Sequence, residues 1–204
     1  MERFTLGYLS TLPFLEILLT LFVYSIGRYI YLKRNARYIH FAREIIYLLL
    51  LAYTISIFHL TILSSISGIR REWIGMNLIP FQTIRSYINL YLEGELHNAS
   101  VNIIGNIVVF IPLGCLLVLL DPKILFKKIF VIGFLFSFVI EILQLLLSIM
   151  KILSRSFDVD DLFLNTVGVL IGYLLVSGVR FLVKLIHKTI FLKTPLEKSK
   201  EVRK

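Results

Sequence analysis

The sequence predicts an all-α, polytopic membrane protein with about five transmembrane helices. Its residues are 57% hydrophobic and 17% charged, and the mean hydropathy is +0.84, whereas soluble domains carry about 45–50% apolar and about 25% charged residues. Several apolar runs reach the roughly 20 residues that a helix needs to cross a bilayer. Lys and Arg are concentrated in every second loop between these runs, as is typical when those loops lie on the cytoplasmic side of a membrane.

The spans are predicted at residues 12–32, 45–67, 101–120, 129–149 and 161–183 of the sequence. Residues 1–11 then form a short external N-terminus, and residues 184–204 form a basic cytoplasmic tail. The basic residues around the ends of the first, third and fifth spans are Arg28, Lys33, Arg34, Arg37 and Arg43, then Lys123, Lys127 and Lys128, and finally Arg180, Lys184 and Lys188. Because cytoplasmic loops are rich in Lys and Arg, we predict an N-out/C-in orientation. The net charge of +9 is therefore interpreted as a topology signal, and nucleic acid is not an expected partner.

A short amphipathic helix is predicted between the second and third spans, on the external side. After Pro80, apolar side chains recur with helical spacing at Ile84, Tyr87, Ile88, Tyr91 and Leu92,. Such a segment lies on the membrane surface or folds back into it.

The stretch from 154 to 173 combines polar residues with the start of the fifth span. On a helix, Asp161, Asn165, Gly168 and Gly172 fall within one narrow stripe,. Lipid cannot solvate the two polar members, so the stripe is expected to face protein or a water-filled cavity.

Polar residues of other segments are predicted to reach the same membrane level. The third span begins outside, the fourth ends outside and the fifth begins outside, so their polar ends meet in the external half. The predicted pocket residues are Asn77, Asn102, Asn106, Glu141, Gln144, Arg155, Asp158, Asp160, Asp161 and Asn165. We expect a single outward-opening polar pocket, with a buried network that only fixes helix register as the alternative.

The carboxylates leave the chemistry of this pocket open. A charged Glu141 within the membrane costs at least about 2.5–3.5 kcal/mol, and Arg155 is the predicted partner. Asp158, Asp160 and Asp161 are candidate ligands of a divalent cation, although acids at a helix start also act as caps. Glu141 and Asp161 are the candidate acid/base pair. No cofactor is required, and the single cysteine, Cys115, permits no disulfide within the chain,.

Four sequence blocks resemble the VanZ-like membrane protein family. They are N-L-I-P-F at 77–81, N-x-x-G-N-x-x-x-F-x-P-x-G at 102–114, I-E-x-x-Q at 140–144 and R-S-F-D-V-D-D-x-x-x-N-T-x-G-x-x-x-G-Y at 155–173. The resemblance implies a small multi-span protein of the bacterial cytoplasmic membrane. It also implies an accessory role in the cell envelope, since the family's namesake lowers susceptibility to teicoplanin, a lipid-tailed drug, more than to vancomycin.

Two functions from different classes follow from these observations. The first is a non-enzymatic accessory factor whose pocket binds an amphiphile, either a membrane lipid, a lipid-linked envelope molecule or a lipoglycopeptide antibiotic. The alternative is a membrane enzyme that modifies a lipid-linked envelope substrate, with Glu141 and Asp161 as acid/base groups or cation ligands. A transporter is the weakest interpretation, because the sequence contains no visible internal repeat. The oligomeric state is not predicted.

Overall fold

The computed structural model describes five segments of the chain and contains six helices and two very short strands in them. The described segments are residues 2–38, 40–62, 75–93, 96–153 and 155–201, with side chains described from 14 to 189 except within 96–101. The helices are α1 Glu2–Arg34, α2 Phe41–Thr61, α3 Gln82–Leu92, α4 Leu96–Leu120, α5 Phe126–Ile149 and α6 Val159–Glu201, and the strands are β1 Met76–Asn77 and β2 Phe157–Asp158.

Five of these helices are long and apolar enough to cross a membrane, which confirms the predicted fold class. The apolar stretches are Phe14–Arg34, Phe41–Thr61, Asn102–Leu120, Phe126–Ile149 and Val159–Thr189. The chain is therefore a multi-pass membrane protein. The last part of the predicted second span, residues 63–67, lies outside the described residues.

The first and last helices extend well beyond the predicted spans. α1 already begins at Glu2, and α6 continues as one helix to Glu201 through the basic segment. Hydropathy locates the apolar part of a helix, whereas a helix continues into water wherever the backbone keeps its hydrogen bonds. The N-out/C-in orientation stays a prediction.

α1 packs against α2 and is joined to it by two polar contacts near opposite ends. Arg28 donates two hydrogen bonds to Glu44, at 2.9 and 3.0 Å. At the other end, a ring nitrogen of His59 lies 2.6 Å from a carboxylate oxygen of Glu16. Each pair gives a polar side chain of one spanning helix a partner on its neighbour, as burial in lipid requires.

The tightest packing joins α4 to α6. A Cβ added at Gly168 would lie 2.2 Å from the carbonyl oxygen of Ile107, and one added at Gly172 would lie 2.1 Å from that of Ile111. On α4, a Cβ added at Gly114 would lie 2.0 Å from the carbonyl oxygen of Val169. Small residues allow two membrane helices to bring their backbones together in this way. The glycine stripe predicted on the fifth span thus forms a helix–helix contact.

α3 lies outside the bundle core, at the end where α4 and α6 begin. It packs against α4 and the start of α6, and its bounds, Gln82–Leu92, coincide with the amphipathic segment predicted after Pro80. The strands pair in parallel just before α3 and α6, with Met76 opposite Phe157 and Asn77 opposite Asp158. This small ladder brings the loop before α3 to the loop before α6.

Replacing either contact glycine of α6 with alanine is expected to destabilise the protein. Because the added methyl group would overlap a carbonyl oxygen of α4, Gly168→Ala and Gly172→Ala should each lower the free energy of unfolding by about 1–3 kcal/mol. Unfolding by sodium dodecyl sulfate in mild detergent, followed by circular dichroism, measures this change.

Gly178→Ala is the matched control on the same helix, because a Cβ at Gly178 would meet nothing within 4 Å. Its free energy of unfolding should stay unchanged or rise by up to about 1 kcal/mol, because alanine favours a helix over glycine. Equal stability of all three variants would contradict close packing of α4 on α6.

Candidate functional site

A cavity lies at the end of the bundle where α2 and α5 end and α4 and α6 begin. Its volume is about 220 Å³. Six of the ten predicted pocket residues line it: Asn106, Glu141, Gln144, Arg155, Asp161 and Asn165. Its other walls are Gly105, Thr61 and the apolar side chains of Leu60, Val109, Phe110 and Ile140. Four helices and the loop before β2 therefore send groups to one polar cavity with apolar walls.

Two amide side chains connect α6 to its neighbouring helices inside this cavity. Asn106 of α4 donates a short hydrogen bond to a carboxylate oxygen of Asp161. One turn further along α6, Asn165 donates to the hydroxyl oxygen of Ser137 on α5 at 2.9 Å. The predicted stripe of α6 is thus polar where it lines the cavity and carries glycine where it contacts α4.

The carbonyl group of Thr61 holds two further polar side chains in place. Since α2 ends at Thr61, this carbonyl is one of the last four of the helix, which have no partner within the helix. The amide nitrogen of Gln144 donates to it at 2.9 Å, and a guanidinium nitrogen of Arg155 lies 3.5 Å from it. The end of α2 is therefore part of the site through its backbone, which no side-chain pattern in the sequence indicates.

Glu141 is the most enclosed carboxylate of the cavity, with 2% of its surface exposed. One of its oxygens accepts a hydrogen bond from the backbone N–H of Asp158 at 3.2 Å. Arg155 lines the same cavity, but within the described part of the chain no basic side chain lies within 4 Å of Glu141. Glu141 and Arg155 are therefore not in direct contact, but the charge of Arg155 acts on Glu141 across the cavity that they share.

Asp158 and Asn77 lie beside the cavity in a network that fixes the two loops. One oxygen of Asp158 accepts the backbone N–H of Asp160 at 2.9 Å, which caps the start of α6,. The same oxygen accepts the side-chain amide of Asn77 at 3.1 Å. The other oxygen accepts the hydroxyl of Thr83 on α3. Both carboxylate oxygens of Asp158 are therefore engaged by protein donors.

Asp160 is fully buried and caps a helix other than its own. Its two oxygens accept the backbone N–H groups of Phe81 at 2.6 Å, Thr83 at 2.8 Å and Ile84 at 3.1 Å. These donors belong to the first turn of α3, which has no side-chain cap from its own N-cap residue. A carboxylate at this position also interacts favourably with the positive end of the helix dipole. Asp160 thus attaches α3 to the start of α6.

The remaining residues near the site occupy its border. Asn102 is exposed near the start of α4 and is not among the residues lining the cavity. Burial raises the pKa of the Tyr87 hydroxyl on α3, the Asp161 and Asp158 carboxylates raise it further, and Arg155 lowers it. Within the segments that the structure describes, no three His, Cys, Asp or Glu side chains are grouped to hold a metal ion.

Removal of the Asp160 carboxylate is expected to release α3. Asp160→Ala leaves the backbone N–H groups of Phe81, Thr83 and Ile84 at the start of α3 without their acceptor, and loss of a helix cap costs about 0.5–2 kcal/mol. The backbone amides of Phe81, Thr83 and Ile84 should therefore exchange faster with deuterium, as measured by mass spectrometry of the purified protein.

Asp121→Ala provides the control, because Asp121 also accepts one backbone N–H, that of Lys123, in an exposed turn. It should leave exchange in α3 unchanged. Unaltered exchange in the Asp160→Ala variant would contradict a capping role for Asp160.

Comparison with known proteins identifies the family of this chain. The sequence profile of the VanZ/LLP1 family matches residues 45–183, which is more than half of the 204 residues and extends from within α2 to Val183 in α6. No curated protein and no solved structure was found to match the chain. The matched region contains every residue that lines the cavity, and the chain belongs to the VanZ/LLP1 family.

Proposed function

We propose that the chain is an accessory protein of the bacterial cell envelope, located in the cytoplasmic membrane, whose cavity holds the polar head of an amphiphile. Membership of the VanZ/LLP1 family supports an envelope accessory role. The observation that carries the proposal is the convergence of six predicted polar residues on one cavity with apolar walls. A site of this composition suits a ligand with a small polar head and an apolar remainder.

The size of the cavity favours a head group over a whole drug molecule. Its volume of about 220 Å³ is below the roughly 300–1,000 Å³ of pockets that enclose drug-sized ligands. Next to Gly105 on α4, the side chains of Ile104 and Val108 are 55% and 52% exposed. An apolar tail would lie along such lipid-facing side chains while the head occupies the cavity.

This arrangement gives a physical route to a selective effect on lipid-tailed glycopeptides. Teicoplanin carries a lipid tail that vancomycin lacks, so a protein that recognises an amphiphile in the membrane distinguishes the two drugs. Because the cavity is smaller than a pocket for a drug-sized ligand,, the ligand is an envelope lipid with which the antibiotic competes. We propose that the chain lowers susceptibility to teicoplanin through this site.

An enzyme acting on a lipid-linked envelope substrate is the second candidate. The specific observation in its favour is that Glu141 and Asp161 line the same cavity. Two carboxyl groups in an enclosed site are a common acid/base arrangement. If the chain is an enzyme, cells that express it should gain or lose a lipid-linked molecule. The comparison is with lipids extracted from cells that express Asp161→Asn at the same level.

Filling the cavity is expected to abolish teicoplanin protection without unfolding the protein. A side chain added at Gly105 would meet nothing within 4 Å outside its own helix, so Gly105→Leu should place its side chain in the space that the ligand head requires. A teicoplanin-sensitive bacterial host expressing this variant should be about as susceptible as a host without the protein. Broth dilution with teicoplanin and vancomycin measures the effect.

Gly178→Leu is the control substitution, since Gly178 also has no neighbour within 4 Å of an added Cβ and lies away from the cavity. Both variants should reach wild-type membrane levels on immunoblots. Full teicoplanin protection by an abundant Gly105→Leu protein would contradict the role of the cavity.

A further inference from the structure

The amide side chains of the cavity donate hydrogen bonds to other protein groups through their nitrogen atoms. Each amide nitrogen donates to a neighbouring group: Asn106 to Asp161, Gln144 to the carbonyl oxygen of Thr61, and Asn165 to Ser137. A backbone carbonyl oxygen only accepts hydrogen bonds, so the orientation of the Gln144 amide is fixed by chemistry. The side-chain oxygens are then left for other partners.

These oxygens make the cavity rich in acceptors. Asn106 and Gln144, whose amide nitrogens are engaged, both line the cavity. The side-chain oxygen of Asn165 is buried without any hydrogen-bond partner, and the residue is only 4% exposed. An unpaired buried acceptor costs about 1–3 kcal/mol. A ligand that donates hydrogen bonds would remove this cost.

The two carboxylates of the cavity, Glu141 and Asp161, outnumber its one described cationic side chain, Arg155, and therefore favour a ligand with positive charge. Glu141 is buried, and none of the described basic side chains lies within 4 Å of it or of Asp161. A buried carboxylate without a paired cation is unfavourable by several kcal/mol. A primary ammonium group supplies both the missing charge and three N–H donors.

The guanidinium group of Arg155 is a candidate binding group for an anion. Its guanidinium carries five N–H donors and makes one long contact, 3.5 Å, to the carbonyl oxygen of Thr61. Guanidinium groups bind phosphate well because their planar fork matches the phosphate oxygens. The cavity therefore contains acceptors with negative charge and one cationic group with unused donors.

We infer that the cavity selects an amphiphile with a zwitterionic head, in which a primary ammonium contacts Glu141, Asp161 and the Asn165 oxygen and a phosphate contacts Arg155. A lipid with an ethanolamine phosphate head has this chemistry. A choline head lacks N–H donors, and a glycerol phosphate head lacks the positive charge. The inference rests on the proposed function, because it specifies the head group that the cavity holds.

Lipid-induced stabilisation of the purified full-length protein in detergent tests this inference. The probes are dihexanoyl phosphatidylethanolamine, phosphatidylcholine and phosphatidylglycerol, and a ligand present at 100 times its Kd stabilises by about 2.7 kcal/mol. The ethanolamine lipid should raise Tm most, with an affinity at least about tenfold higher than that of the choline lipid, equal to about 1.4 kcal/mol.

Matched variants connect the preference to the cavity. Glu141→Gln should lose most of the preference for ethanolamine, whereas Glu16→Gln, the same change at an exposed carboxylate outside the cavity, should keep it. Equal stabilisation by ethanolamine and choline lipids, or stronger stabilisation by the glycerol lipid, would overturn the inference. The proposed function would still stand in that case if Gly105→Leu removed the stabilisation.

Two further results test whether the lipid binds in the cavity at all and whether the ligand comes from the membrane. If no lipid stabilises the wild type more than Gly105→Leu, the proposed function and the inference both fail. Water-soluble O-phosphoethanolamine should compete only weakly with the lipid. Competition by this compound at the same concentration as the lipid would overturn the membrane source of the ligand.

Discussion

The bilayer interior offers no hydrogen-bonding partner to a polar side chain, and this constraint organises the protein. Polar groups of the spanning helices must meet one another or enclose water. In this chain they meet at one end of the bundle, where Asn106 contacts Asp161 and Gln144 contacts the end of α2. Further along the same helices, Gly168 and Gly172 let α4 and α6 touch through their backbones. The polar cavity thus lies directly beside the tightest apolar contact.

The acids at the start of α6, together with Glu141 of α5, divide into two groups with different roles. Both carboxylate oxygens of Asp158 and of Asp160 accept hydrogen bonds from protein donors, and these bonds hold α3 and its loop against the bundle. Asp161 and Glu141 face the cavity instead. This division explains how a cluster of neighbouring carboxylates is accommodated, because each group has its own set of donors. It also leaves the cavity acids available for a ligand.

The sequence carried enough information for the fold, for α3 and for six of the cavity residues, because these depend on hydropathy and on helical spacing. It could not show that Asp160 caps α3, since the contact to Thr83 spans 77 positions of the chain. The role of Thr61 was also hidden, because its backbone carbonyl is the functional group. Ser137 was detectable in principle, since it lies one helical turn before Glu141 on the same face of α5.

Thiol labelling of a cysteine placed in the cavity tests the central claim, an outward-opening polar site, most directly. Gly105→Cys would be made in a Cys115→Ala background, with Lys123→Cys in the turn between α4 and α5 as the comparison. The account predicts that a membrane-impermeant maleimide labels Gly105→Cys in intact cells, and that it labels Lys123→Cys only after the membrane is permeabilised. Labelling of Gly105→Cys only in permeabilised cells would contradict the account.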